Sequence, residues 1–472
     1  MPTDLHRPNY HYLPAKNWMN DPNGLIHWGG KYHLFYQYNP DGAYHANMHW
    51  GHAVSTDLVN WTELAIALHP DPNSPDSGGC WSGCAIDNNG LPTFLYTGFV
   101  NGTQCSCLAF GDSDLINWTK YPSNPVISGP PVELNANAFR DHSVWREDDQ
   151  WYQVIGSGVD GKNGAGGMAL IYRSPDLIHW EYVHPLTDDS VHQQFDLPTG
   201  DIWECPSFFA LGDQHVLLVS VWSEHKLSYV AAYIGEYRDH RFVPHTLKKL
   251  DCGDQCYYAP QTMLDAQGRR LIWGWLQEER PRAAQIAAGW SGVMSSPRML
   301  SLDAAGQLNM APVPELRHLR GTHTHFADLH ISADQMHSLS GVTGQQLEIA
   351  ISFECQPNGR SGIYVARSQN GEEETAIYID WDQRTLVVDR TRSSVNADVS
   401  HAQRAADLPV DIAQRCEVHV LLDHSVLEVS VNDQAWITTR IYPEHADSVG
   451  LGLYSREAGS VARRVDIWKM CG

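Results

Sequence analysis

Within its first 280 residues the chain repeats one pattern five times: a polar side chain, then an apolar segment of about fifteen residues broken by a turn. The polar residues are Asp21, Ser82, Asp141, Glu204 and Tyr258, separated by steps of 61, 59, 63 and 54 residues. A near-constant step points to one structural unit used repeatedly, and the unit has the pattern of a propeller blade. In a β-propeller the innermost strand of every blade lines an axial channel, so equivalent positions converge on one funnel. Asp21, Asp141 and Glu204 are therefore expected to meet, although 183 residues separate the first from the last. Converging carboxylates are what glycosyl transfer requires.

A second repeat counts the same units. DLVNW (Asp57 to Trp61) recurs as DLINW (Asp114 to Trp118) and DLIHW (Asp176 to Trp180), at steps of 57 and 62 residues. Turn signals fall between apolar half-strands at Gly29-Gly30, Asn88-Asn89-Gly90, Glu147-Asp148-Asp149, Gly212-Asp213 and Asp265 to Gly268. Long amphipathic helices are absent from the pattern, so the expected class is all-β.

The repeat ends near residue 320. After Pro312-Val313-Pro314 comes a charged, His-rich stretch, and then short alternating strands such as QLEIAISFEC, TAIYIDWD and SVLEVSVND without the carboxylate register. Residues 1–320 are expected to form a five-bladed propeller and residues 321–472 a two-sheet β-sandwich.

Charge narrows the partner. With 32 Lys plus Arg against 55 Asp plus Glu the net charge is −23, and no basic run interrupts it. This disfavours nucleic acid and anionic membrane surfaces and favours a neutral small molecule. No stretch reaches the roughly 18 apolar residues of a membrane span. The start, Met1 to Arg7, lacks a signal-peptide core, so the expectation is cytoplasmic, or secreted if a leader was removed. None of the close cysteine pairs, Cys80/Cys84, Cys105/Cys107 and Cys252/Cys256, has zinc-ligand spacing. They read as buried thiols, with a Cys252–Cys256 disulfide open in an oxidising setting. The sequons at Asn60, Asn101 and Asn117 read as turn residues.

WMNDPNG (Trp18 to Gly24), FRD (Phe139 to Asp141) and WEC (Trp203 to Cys205) resemble, in order and spacing, the hallmark motifs of glycoside hydrolase family 32. YAPQ (Tyr258 to Gln261), Gly274-Trp275 and the SVLEVSVND…RIYP stretch extend the resemblance over essentially the whole chain. The family includes invertases, inulinases, levanases and sucrose-6-phosphate hydrolases. The resemblance implies a retaining enzyme in which Asp21 is the nucleophile, Glu204 the acid/base and Asp141 the transition-state stabiliser. The two reacting carboxyl groups are then expected about 5–5.5 Å apart. Asn20 or Asn23 would keep Asp21 ionised, Arg140 would keep Asp141 charged, and Tyr258 would bond the acid/base.

Gln37, Trp50, Trp81, Ser82 and Trp275 resemble family positions around the sugar, where aromatic faces and amides suit a polyol. Two departures stand out: His142 replaces a proline after the Arg-Asp pair, and His45 stands where many members carry Trp, beside the leaving group. No metal or cofactor is called for.

Three other functions fit parts of this pattern. A fructosyltransferase would use the same scaffold with a sugar acceptor in place of water. A non-catalytic carbohydrate-binding protein would not need the triad. An inverting arabinan glycosidase would not need WMNDPNG and would hold its carboxyl groups farther apart. Substrate choice among sucrose, its 6-phosphate, inulin and levan is open at this level, as is oligomeric state.

Overall fold

The structure, a computed structural model, describes residues 4–159, 166–187, 194–409, 412 and 416–472. Five antiparallel sheets of four principal strands each come first, followed by two six-stranded sheets. The inner strands of the five blades are Asn17–Trp28, Gly79–Asn88, Ala136–Glu147, Ile202–Leu211 and Tyr257–Leu264. Each lies against the inner strands of its two neighbours, closing a ring. The close approach is visible at Gly156, where an added Cβ would stand 2.3 Å from the Trp203 carbonyl oxygen of the next blade.

The turns expected from sequence fall at one place, between the first and second strand of each blade. Gly29, Gly30, Asn89, Gly90, Asp148, Asp149, Gly212 and Gly268 all have positive φ there, which explains the Gly, Asn and Asp composition. The DLxNW repeat is another built turn. Leu58, Leu115 and Leu177 are buried with φ of 71°, 60° and 68°. The indole N–H of Trp61, Trp118 and Trp180 donates to the leucine carbonyl three residues back, at 2.9, 3.0 and 2.7 Å. Asn60 and Asn117 donate to the carboxylates of Asp57 and Asp112, as expected of turn residues.

The fifth blade is interrupted. Between its second and third strands the chain forms a helix, Arg282–Ala288, ended by Gly289 in the left-handed region. It then adds Trp290–Ser291 parallel to the first blade's inner strand. Last and first blades are thereby tied by backbone hydrogen bonds.

Strand Arg320–Ile331 opens the sandwich, whose sheets bury a shared aliphatic core around Ile349, Ile363, Val420 and Leu453. The N-terminal segment crosses to it: the backbone N–H groups of Asn9, Tyr10 and His11 all donate to the Asp423 carboxylate at 2.8–2.9 Å. Gly253 of the propeller packs directly on the sandwich strand Ala435–Arg440, where a Cβ would fall 1.7 Å from the Thr438 carbonyl oxygen. All ten cysteines are free thiols, Cys252 and Cys256 included. No helix among the described residues is long and apolar enough to cross a membrane.

Candidate active site

All five inner strands break register at the same level. The pairing skips residues between Met19 and Pro22, Trp81 and Gly83, Arg140 and His142, Glu204 and Ser207, and Tyr258 and Gln261. A bulge re-aims side chains that a flat strand would send to alternate faces, so two consecutive residues per blade can face the axis. Asp141, Cys205 and Ala259 share the strained geometry, with φ of 64°, 47° and 49°. This corrects the register expected from sequence. Cys205 and Ala259 are the counterparts of Asp141, whereas Glu204 and Tyr258 occupy the level of Arg140, one residue earlier. The bulge adds a residue without altering the apolar pattern, so counting periods cannot see it.

The ten side chains Asn20, Asp21, Gln37, Trp81, Ser82, Arg140, Asp141, Glu204, Tyr258 and Trp275 line one cavity of about 560 Å³ at one end of the channel. Trp50, the remaining candidate, does not. It is fully buried against Phe35 and Phe94, and its Nε1–H donates to the Trp81 carbonyl at 3.0 Å. Trp50 is thus a core residue beneath the wall. Trp18, His45, Gln104, Trp222, His225 and Gln277 line the cavity too. Sequence reasoning singled out only His45 among these, because the others lie outside the repeat's register. At the opposite end of the channel a cavity of about 520 Å³ contains Glu147 but no carboxylate cluster.

Asp21 is held by three donors: Asn20 Nδ2 at 3.0 Å on Oδ1, and Ser82 Oγ at 2.6 Å and Cys205 Sγ at 3.5 Å on Oδ2. Asn20 is fixed in turn by Trp18, whose Nε1–H donates to its Oδ1 at 2.7 Å. Asn23 does not serve Asp21; its amide faces Gln37. Burial and the charge of Glu204 raise the Asp21 pKa, opposed by the Ser82 and Asn20 donors.

Arg140 works by its charge against burial to lower the Asp141 pKa, in the direction expected, but its hydrogen bonds go elsewhere. It donates to Glu204 Oε1 through Nε at 3.0 Å and Nη2 at 2.8 Å, and to Gln104 through Nη1 at 3.1 Å. Its hydrogen bonds therefore go to the acid/base candidate and not to its neighbour Asp141. The other Glu204 oxygen accepts from Tyr258 OH at 2.8 Å. Burial and the charges on Glu204 and Asp21 push Asp141 up to about 7 despite the nearby guanidinium. Its Oδ2 accepts from the Cys205 N–H at 2.8 Å. Burial and the three carboxylates hold the Cys205 thiol protonated, well above its usual pKa.

The cavity thus sets three carboxylates against one guanidinium. Like charges at this density cannot all ionise independently, and the protons belong to the cluster. The walls are aromatic: Trp81 stacks on Phe99 with centroids 4.1 Å apart, and Trp18 meets Trp275 edge-on at 5.7 Å and His45 edge-on at 5.9 Å. Burial lowers the His45 pKa and keeps that ring neutral. His142, in place of the proline, is buried under the site, where Thr97 Oγ1 lies 3.3 Å from its Nε2 and Thr97 also accepts the Asp141 N–H at 2.9 Å. Burial pushes its pKa down to about 3. The substitution leaves Asp141 facing the cavity.

The model of the glycosyl hydrolases family 32 N-terminal domain matches residues 11–312, and that of the family's C-terminal domain matches residues 315–469. A sucrose-6-phosphate hydrolase of Zymomonas mobilis is 33% identical, the match covering 98% of this chain and 92% of that one. A cell-wall β-fructofuranosidase of Pisum sativum is 34% identical over 93% of this chain and 89% of its own. The crystal structure of fructan 1-exohydrolase IIa from Cichorium intybus superposes with a TM-score of 0.90 at 28% identity, covering 100% of this chain and 98% of that one.

Proposed function

The chain belongs to glycoside hydrolase family 32, and from that premise we propose that it hydrolyses the terminal, non-reducing β-D-fructofuranosyl unit of unphosphorylated sucrose or fructo-oligosaccharides, with retention. The observation that carries the reading is the meeting of Asp21, Asp141 and Glu204 in one aromatic-walled cavity.

Glu204 delivers a proton to the glycosidic oxygen as the bond to the fructosyl anomeric carbon breaks, and Asp21 closes on that carbon to form an ester. Asn20, Ser82 and Cys205 disperse the nucleophile's charge before attack. In the second half Glu204 takes a proton from water, which attacks the same carbon and releases fructose and Asp21. Asp141, with Oδ2 occupied by the Cys205 amide, presents its other oxygen to sugar hydroxyls. Those hydrogen bonds strengthen as positive charge develops on the ring.

The choice of a neutral substrate rests on charge. Among the described residues Arg140 is the only Lys or Arg lining the cavity, and three of its N–H donors are taken by Glu204 and Gln104. A phosphate at the rim would meet three carboxylates and a single guanidinium already paired with Glu204. Parallel turnover of sucrose, sucrose 6-phosphate, 1-kestose, inulin and levan tests this: sucrose or kestose is expected to lead in kcat/KM. A clear preference for the phosphate ester refutes the neutral-substrate assignment, and a transfer product dominating at low sucrose favours the fructosyltransferase. Ten free cysteines, with Cys105 and Cys107 sulfurs 3.9 Å apart in a hydrogen bond and not a disulfide, support a reducing compartment, the cytoplasm, as its place.

A further inference from the structure

The outer face of one sandwich sheet has a pit. At its floor Gly362 lies between Tyr454 and Tyr378 on the adjacent strands, and in the next row Tyr364 lies between Gly452 and Ala376. Small residues beside large ones on one face of a sheet leave a hollow walled by rings. Tyr364 and Tyr454 stack with centroids 4.1 Å apart, and Tyr378 meets Tyr454 edge-on at 6.4 Å. The hollow measures about 140 Å³, room for one sugar ring and not for a chain. None of its lining residues belongs to the catalytic cavity.

Its polar equipment is of both signs. Arg360 donates to Asp380 at 2.9 Å, Arg392 pairs with Glu374, and Asp389 accepts from Thr391 Oγ1 at 2.6 Å and Gln403 Nε2 at 2.7 Å. Arg456, on the rim, makes no ion pair among the described residues. Three guanidinium groups and two carboxylates, Glu374 and Asp389, therefore line the pit, with Asp380 outside it on Arg360 and Arg367 also on Glu374, so charged donors and acceptors both face a ligand. The three phenol hydroxyls make no hydrogen bond to the protein among the described residues. A ligand that reaches them must both accept and donate at several points. That description fits a polyol ring.

We propose that this pit is a second carbohydrate site, holding the terminal sugar of a fructan chain while the catalytic funnel acts on another end. The choice of fructan rests on the fructosyl reading of the funnel; the pit itself does not. The test uses the full chain carrying Glu204→Gln, so that bound sugar is not consumed. Titrated with an inulin oligosaccharide in a calorimeter, it is expected to show two binding events per chain. Adding Tyr378→Phe and Tyr454→Phe removes one event and weakens retention on a fructan-containing gel about tenfold, the scale of two lost hydrogen bonds. The same tyrosine changes in the Glu204-intact chain leave sucrose turnover within about twofold. Arg456→Met, on an exposed and unpaired side chain that cannot unfold the sheet, weakens retention in the same direction. A single binding event in the parent chain, or unchanged retention in both variants, overturns the proposal. Loss of the funnel reading would appear separately, as absent sucrose turnover by the intact enzyme.

Discussion

Asp141 in the funnel and Glu428 at the seam between propeller and sandwich are both buried carboxylates, yet they are driven in opposite directions. Asp141 is pushed up to about 7, whereas Glu428 is held down at about 2. Burial opposes ionisation equally in kind at both, so the partners decide. Glu428 receives the Ser296 N–H at 3.0 Å, the Ser296 hydroxyl, Arg298 Nη2 at 3.2 Å and His11 Nε2 at 3.8 Å. Arg298 also reaches Asp251 at 3.3 Å and lies over the Trp436 ring at 3.9 Å. In the funnel the one guanidinium is bonded to Glu204, and Asp141 faces two like charges. The seam is a compensated network that fixes two domains; the funnel is an uncompensated one whose excess negative charge is available to a substrate.

The comparison breaks most visibly under loss of function. Asp21→Asn is expected to lower sucrose turnover by about four orders of magnitude or more, the scale of removing a covalent nucleophile. Glu204→Gln should cost about 10²–10⁴-fold. Asp21→Asn should unfold no earlier than the parent in urea, because it removes one of three like charges and leaves the Arg140–Glu204 pair intact. Arg298→Met should do the reverse. It leaves Asp251 buried without its cation and Glu428 with His11 as its cation, and removing one partner of a buried pair costs about 3–5 kcal/mol. The denaturation midpoint falls while kcat of the folded fraction stays near that of the parent.

That asymmetry explains what could be read from the chain alone. Five-fold repetition, all-β class and the three carboxylates are carried by apolar periodicity and by residues at fixed steps, both local properties. The bulges that put Cys205 in the register of Asp141 are not, since an extra residue in a strand leaves its pattern intact. Nor is the hydrogen bonding of Arg140: adjacency in sequence brings its charge near Asp141, but backbone direction at a positive-φ residue sends the neighbouring side chains apart, and its donors reach Glu204. Trp50 shows the same limit, because an aromatic beside a site motif can equally stand behind the wall. The seam was illegible for another reason. Charged side chains such as those of Arg298, Glu278 and Arg440 read as surface until a second domain covers them.

Stability against pH sharpens the contrast with a sign. A carboxyl whose folded pKa is raised binds its proton more tightly when folded. Asp141 therefore stabilises below its ordinary value of 3.8, and that contribution is lost as pH rises through about 7. Glu428 runs the other way: its contribution is present above 4.5 and lost as pH falls through about 2. His11, raised to about 9 by Asp423 and Glu428 against burial, stabilises fully below 6.5 and ceases to as pH climbs through 9. Asp141→Asn is expected to flatten the decline between about pH 4 and 7, where the parent's slope approaches about 1.4 kcal/mol per unit. It is then more stable than the parent at neutral pH and much less active. Thermal unfolding of both proteins across that range checks it; a parallel decline in the two refutes the assignment of excess charge to Asp141.

The finest cut uses one bond that occurs in both regions. Tyr258 OH donates to Glu204 at 2.8 Å in the funnel, and Tyr442 OH donates to Glu278 at 2.5 Å in the seam, where Arg280 and Arg440 also hold that carboxylate. Both phenols are buried and held well above their usual pKa, first by burial and then by the carboxylate they touch. A hydrogen bond to a charged group contributes about 1.5–3 kcal/mol, so each Tyr→Phe change removes a similar quantity. Where it registers should differ. Tyr258→Phe frees a carboxylate that must change protonation twice in each turnover, and the loss is expected in kcat/KM, by about one to two orders of magnitude, with little change in unfolding. Tyr442→Phe weakens a static joint, and the loss is expected in the unfolding midpoint with kcat unaltered. If Tyr258→Phe instead destabilised the fold and spared turnover, the funnel would be held together by its charges as the seam is, and the distinction between the two would fail.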